Sequence, residues 1–204
     1  MTDSIHITFM RHARSRADDE NVHEGRYDSP LTDVGRAQVQ ARAEFFKREN
    51  FQFDLIVAST LVRAKESAEI IGRELNVQVE YDPDWMEFDA GPLAGMPIDE
   101  AEKRFPRPAF RGPYEKFLVT GESEWEFHCR AVRAVEKVVQ RGAGRYLVVA
   151  HGGILNAAMR MIIGATVPIN YHGAWFHFAD TGFVRSVYYP QKGEWHFLEM
   201  RGEK

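Results

Sequence analysis

The chain opens with an apolar, β-branched run at 5–10 that ends in Arg11-His12. Such a run reads as a buried strand. Residues 32–49 carry apolar positions at helical spacing, and Thr32 stands where an N-cap belongs. Residues 54–58 (Asp-Leu-Ile-Val-Ala) form a second short strand pattern. Ser59 or Thr60 is placed to cap the next helix, which runs to about Leu75. Residues 77–81 read as another strand. Ser123-Glu124-Trp125-Glu126 has capping-box spacing and opens a helix ending near Arg141. A buried strand at 146–150 leads into His151-Gly152-Gly153, and a helix at 154–163 follows. Residues 174–200 read as two or three strands with a turn at Gln191-Lys192-Gly193.

Strands alternating with helices predict an α/β fold, with a mainly parallel sheet covered by helices on both faces. The closing strands are expected to add an antiparallel edge. The whole of 1–204 reads as one domain. Its irregular part is 83–121, rich in Pro and Gly, with one short helix at 98–105 stopped by Pro106. A long irregular stretch in a compact domain is often a lid or substrate-specificity segment; a plain surface excursion is the alternative.

Composition narrows the classes. A formal net charge of -4 argues against a dedicated nucleic-acid binder. The single cysteine, Cys129, permits no intramolecular disulfide and no cysteine metal cluster, which fits a reducing cytoplasm. No apolar run is long enough to span a membrane, and the N-terminus lacks the pattern of a secretory signal. A cytoplasmic protein without membrane partners is expected.

The informative chemistry lies at strand ends. One apolar strand ends in Arg11-His12 and another in His151-Gly152-Gly153. In open parallel sheets the ligand site lies beyond the carboxyl ends of the strands. If these two strands are neighbours, both imidazoles face one crevice. Gly152 and Gly153 then let backbone N–H groups approach an anion at the start of the following helix. Arg63 falls in the first turn of a helix that also follows a strand, and its side chain leans back toward the same edge. Two arginines and two histidines around one small volume suit a phosphoryl group.

These residues also carry a resemblance. The chain resembles the histidine phosphatase superfamily, the phosphoglycerate mutase-like fold, nearly from end to end. The motifs, in order, begin with Arg11-His12-Ala13-Arg14-Ser15, then Gly25, Asp28 and Pro30-Leu31-Thr32, followed by Gly35 and Gln38. Ser59-Thr60-Leu61-Val62-Arg63-Ala64 with Ser67-Ala68-Glu69 comes next. Met86-Glu87-Phe88 with Gly91 and Gly95, Gly121-Glu122-Ser123, and His151-Gly152 complete the set. The resemblance implies a three-layer α/β/α sandwich and catalysis through a phosphohistidine. Ala13 replaces the family's Gly, and Arg14 its Glu or Gln. Asp18 stands where the family often has a phosphate-binding Asn, so either Asp18 points away or Asn21 takes that role.

On this reading His12 is the nucleophile, and His151, Arg11, Arg63, Ser15 and the backbone of Gly152 hold the phosphoryl oxygens. Glu87 is the candidate general acid, with Asp82, Asp84 and Asp89 as alternatives nearby. Asn21, His23 and Gly25 in the first loop are candidate substrate contacts. So are Arg107 and Arg111, in a basic stretch with Lys103, Arg104 and Lys116 interleaved with Phe110, Tyr114 and Phe117. That stretch either recognises a second anionic group or is a solvated charged loop. The remaining histidines lack the His-x-x-x-His spacing of a metal site, and no metal or cofactor is called for.

Three functions compete. One is a phosphomonoesterase acting on a small phosphorylated metabolite. The second is a phosphoglycerate mutase-type isomerase, and the third a non-catalytic binder of phosphorylated ligands. Arg11, His12, Arg63, Glu87 and His151 together argue against the third. Mutases of the family carry a longer insertion between acid and second histidine and a longer tail, which favours the phosphatase. The faces near Trp175 and Phe176 could support a homodimer.

Overall fold

The structure, a computed structural model, describes residues 4–170 and 172–202. Residues 1–3, read above for a signal pattern, lie outside that range. Among the described residues six strands form one sheet: β1 (Ile5–Arg11), β2 (Leu55–Ala58), β3 (Val79–Tyr81), β4 (Gly144–Ala150), β5 (Phe183–Tyr189) and β6 (Glu194–Arg201). The helices are α1 (Arg16–Glu20), α2 (Asp33–Arg48), α3 (Val62–Leu75), α4 (Ile98–Arg104), α5 (Glu124–Val139) and α6 (Gly152–Ile162). The strand order is β3-β2-β4-β1-β5-β6. β3, β2, β4 and β1 run parallel, and β5 and β6 add the expected antiparallel edge.

Side-chain alternation makes the three layers. In β1, Ile5, Ile7 and Phe9 face one side; in β4, Tyr146, Val148 and Ala150 do the same. They pack against Phe127, Ala131, Val135 and Val138 of α5 and Leu155 and Met159 of α6. Met10, Ile56, Leu147, Val149 and Phe183 face the other side, against Val39 and Phe46 of α2 and Ala68 and Ile71 of α3. Strands buried on both faces read as continuous apolar runs, as the sequence shows. Burial on both faces also fixes register, because a one-residue slip would exchange the two clusters.

Helix starts differ in how they are made. Thr32 caps α2 by accepting from Gly35 N–H at 3.0 Å. Ser123 and Glu126 form the expected capping box at α5. The expectation for α3 is corrected: its N-cap is Leu61, whose side chain makes no capping bond. The N–H of Val62 donates instead to the Asp28 carboxylate at 2.7 Å. An acceptor from a distant loop ties the first loop to the helix that carries Arg63. Gly35 is held by contact rather than conformation, since a Cβ there would lie 2.1 Å from the Arg14 carbonyl oxygen. The α2 start is thereby pressed onto the loop after β1. The five-residue α1 was not foreseen. The 174–200 region holds two strands rather than three, because 173–182 forms no strand.

Candidate active site

Parallel register builds the centre of the site. Arg11 of β1 pairs with Ala150 of β4, so the next residue of each chain stands beside the other. Those residues are His12 and His151, both fully buried, with ring centroids 5.0 Å apart. β2 flanks β4 on the far side, and Ser59 directly beyond it reaches His151 Nε2 at 2.8 Å.

The protonation of His12 follows from its partners. Nδ1 lies 2.7 Å from the Ala13 carbonyl oxygen, which can only accept, so Nδ1 carries the proton. The lone pair is then on Nε2, which accepts from Arg63 Nε at 3.2 Å. Burial pushes the His12 pKa well below its ordinary value, and the Arg63 and Arg11 charges push it further. His151 is lowered in the same direction, by burial first and then by Arg63. Its Nδ1 is buried without a hydrogen-bond partner among the described residues. The Ser59 hydroxyl can donate to Nε2 or accept from it; where it donates, the proton of the neutral ring sits on Nδ1. A buried ring nitrogen without a partner carries a desolvation cost in either tautomer.

Arg63 is fully buried and held rigidly. Its terminal nitrogens donate to the Tyr27 and Gly25 carbonyls, each at 2.8 Å. Gly25 has φ +45, a left-handed conformation that suits glycine and lets its carbonyl face the guanidinium. Arg11 is partly exposed, 3.4 Å from Asp180.

Glu87 sits elsewhere than a free loop carboxylate would. It accepts from Gly153 N–H at 2.8 Å, Ile154 N–H at 3.1 Å and Phe88 N–H at 2.8 Å. It therefore occupies the N-terminus of α6. This corrects the expectation that Gly153 offers its N–H to a bound anion. The glycine is needed for another reason: a Cβ on Gly153 would lie 2.3 Å from the Glu87 carboxylate. The alternatives to Glu87 are engaged away from the histidines. Asp84 is clamped by Arg133 and Lys137, which pull its pKa down to about 2. Asp82 pairs with Lys137, and Asp89 with Arg26 at 3.1 Å.

A cavity of about 460 Å³ opens beside this centre, lined by Arg11, Glu24, Gly25, Glu87, Gly152 and Trp175 among others, while the buried His12, His151 and Arg63 are not part of its lining. A wider one of about 730 Å³ adjoins it through Phe88, Ala90 and Trp175, and His23, Arg107 and Arg111 line that outer space. Arg111 is buried, 3.2 Å from Glu124 and stacked over the Phe117 ring. Asn21 stands apart from the candidate residues that line the cavities. It is exposed at the end of α1 with φ 53 and is not among the residues lining either cavity. Asp18 turns away from the centre, accepting from the Ser15 N–H at 2.7 Å. Ser15 is buried, and its hydroxyl donates to Glu24 at 2.5 Å.

Sequence reasoning missed Glu24 and Arg130. Arg130 donates to the carbonyls of Asp84, Met86 and Glu87 and pairs with the Glu122 carboxylate. One buried guanidinium thus holds the loop that carries Glu87. Only its place on the buried face of an amphipathic helix could have signalled it. Among the described residues no cluster of three His, Cys, Asp or Glu side chains gathers as a metal site would.

With the geometry set, comparison with known proteins decides the family. The family model described as the histidine phosphatase superfamily (branch 1) matches residues 7–200. The chain belongs to that superfamily. It is 31% identical over 159 residues to an uncharacterized phosphatase PhoE of Bacillus subtilis, covering 78% of this chain and 77% of that one. It is 32% identical over 203 residues to a putative phosphoserine phosphatase 2 of Hydrogenobacter thermophilus, covering 97% and 91%. A 2,3-bisphosphoglycerate-dependent phosphoglycerate mutase of Nitrobacter winogradskyi is 30% identical over 166 residues, covering 76% and 80%. The Bacillus stearothermophilus protein YhfR superposes with a TM-score of 0.81 at 23% identity, covering 98% of each chain. As a histidine phosphatase superfamily member, the chain is an enzyme of the phosphatase and mutase kind with that family's α/β fold.

The two buried histidines set an acid limit. Unfolded, each titrates near 6.5; folded, each is held neutral well below that. The unfolded chain therefore binds more protons below 6.5. The stability tied to neutral burial is present above that pH and is lost as pH falls through it. Each histidine steepens the loss by up to about 1.4 kcal/mol per pH unit. Urea unfolding between pH 7 and 5 should show this, with a shallower slope for His12→Gln. Equal slopes would contradict the neutral assignment.

Proposed function

We propose that this enzyme is a metal-independent phosphomonoesterase that hydrolyses a small phosphorylated metabolite through a phosphohistidine at His12. One observation carries the reading: a buried neutral imidazole with its lone pair on Nε2, aimed among Arg63, His151 and Arg11. In the first step Nε2 attacks phosphorus in line and the bond to the ester oxygen breaks. Arg63, Arg11 and the Nδ1 N–H of His151 stabilise the equatorial oxygens, and such fixed donors carry much of phosphoryl-transfer catalysis. Glu87, at the cavity wall, gives a proton to the leaving alkoxide. In the second step water, activated by the same carboxylate, attacks the phosphohistidine and releases inorganic phosphate. The 83–121 segment, whose Arg107 and Arg111 line the outer cavity, serves as the substrate-specificity segment.

The mutase reading is kept because a mutase is among the relatives. It separates by product: with 3-phosphoglycerate and a bisphosphoglycerate primer, a mutase yields 2-phosphoglycerate, whereas the phosphatase yields inorganic phosphate.

Brief exposure to labelled ester, an alkaline quench and peptide mapping should place an acid-labile label on His12. His12→Ala should lose turnover by at least about 10³-fold. Activity should persist in EDTA and be inhibited by vanadate. Label on a serine or aspartate, or full turnover by His12→Ala, would sink the mechanism.

Glu87→Ala should slow phosphorylation by alkyl phosphates by about 10²–10⁴-fold and by nitrophenyl phosphate far less, since nitrophenolate leaves without a proton. Burst kinetics isolate that step. Equal losses on both esters would assign Glu87 to positioning the start of α6 instead.

A further inference from the structure

The carboxylate nearest His12 is neither Glu87 nor any acid that the sequence singled out. It is that of Glu24. One of its oxygens accepts from the Ser15 hydroxyl at 2.5 Å and lies 3.2 Å from Arg63 Nε. The other lies 3.7 Å from His12 Nε2. Ser15 and Arg63 are the donors that a phosphoryl oxygen needs, and the attacked phosphorus must come within about 3–3.5 Å of Nε2. A carboxylate and a phosphoryl group cannot both hold those donors. Glu24 also lines the 460 Å³ cavity alongside Glu87, so that space already carries two carboxylates next to the reacting centre.

We propose that Glu24 is a specificity-determining residue. Its carboxylate occupies the phosphoryl seat until substrate displaces it. Displaced, it faces the leaving group from the cavity that it already lines. There it favours phosphomonoesters whose leaving group offers hydroxyl or ammonium donors and disfavours those carrying a second anion close to the phosphate. The side chain is suited to this movement. It is the partly exposed member of the cluster, at 20% against 1% for His12 and 0% for Arg63. Arg11, the remaining cation at the cavity wall, is drawn toward Asp180 rather than toward the leaving group. The cations that could offset a second anion, Arg107 and Arg111, line the outer cavity instead.

This inference rests on the phosphatase reading, and its test is chosen to fail separately. Binding of inorganic phosphate is measured by calorimetry for the wild-type enzyme and Glu24→Gln, which keeps the side-chain shape but removes the charge. The variant should bind at least about tenfold more tightly, because a like charge within about 4 Å is gone. The kcat/KM ratio of O-phosphoethanolamine to 3-phosphoglycerate should exceed one in the wild type and fall about tenfold in the variant. Glu24→Ala should move both quantities in the same directions, and matched thermal melts check that both variants fold. Phosphate affinity that is equal or weaker in Glu24→Gln overturns the proposal alone. So does an unchanged substrate ratio, even with tighter phosphate. Absence of phosphate binding in every protein overturns the phosphatase reading and this proposal together.

Discussion

The hydrogen bond from Nδ1 of His12 to the carbonyl of its own neighbour, Ala13, at 2.7 Å is the contact on which the site turns. A carbonyl offers only lone pairs, so the bond fixes one tautomer and leaves Nε2 to react. The bond exists because β1 ends at Arg11 and the chain bends there, while His12 N–H donates to Ala150 O at 2.9 Å. That link joins the end of β1 to the end of β4, which is why the second histidine lands beside the first. Sheet register, burial on both faces and the protonation state of His12 are in this way one problem. A slip of one residue would exchange the apolar clusters and bury the wrong side chain at the strand end.

Charge is arranged around that contact in opposed sets. Arg63, Arg11 and the two imidazoles gather on one side, while Glu24 pairs with Arg63 and lines the cavity together with Glu87. Of the two carboxylates, Glu87 is the fixed one. Glu87 is held by three backbone N–H groups around the start of α6, and Arg130 holds the loop behind it through the carbonyls of Asp84, Met86 and Glu87. Truncating a buried guanidinium paired with a carboxylate such as Glu122 is strongly destabilising, because the partner charge is left uncompensated. Arg130 thus links the stability of α5 to the placement of a carboxylate that lines the cavity.

Much of the fold was legible because its physics is local. Apolar runs marked β1, β2 and β4, and Thr32 and Ser123 marked two helix starts. The meeting of His12, Arg63 and His151 was legible as well, since strand ends in a parallel sheet converge. What was not legible depends on partners distant in sequence. Asp28 caps α3 across 34 residues, so the local candidates Ser59 and Thr60 misled. Gly153 was read as an anion donor, yet its N–H is claimed by Glu87, 66 residues away. Asn21 is exposed where α1 ends, which its spacing alone did not show. Glu24 gave no signal at all, because a glutamate in a polar loop is ordinarily solvated.

The central claim is that His12 carries the phosphoryl group between substrate and water. Two in-line displacements each invert phosphorus, so the overall reaction must retain configuration. A phosphorothioate ester made chiral with oxygen isotopes, hydrolysed in isotopically labelled water, reports this directly. The account predicts product thiophosphate with retained configuration. Inversion would mean that water attacks the ester in a single step and that His12 never holds the phosphoryl group.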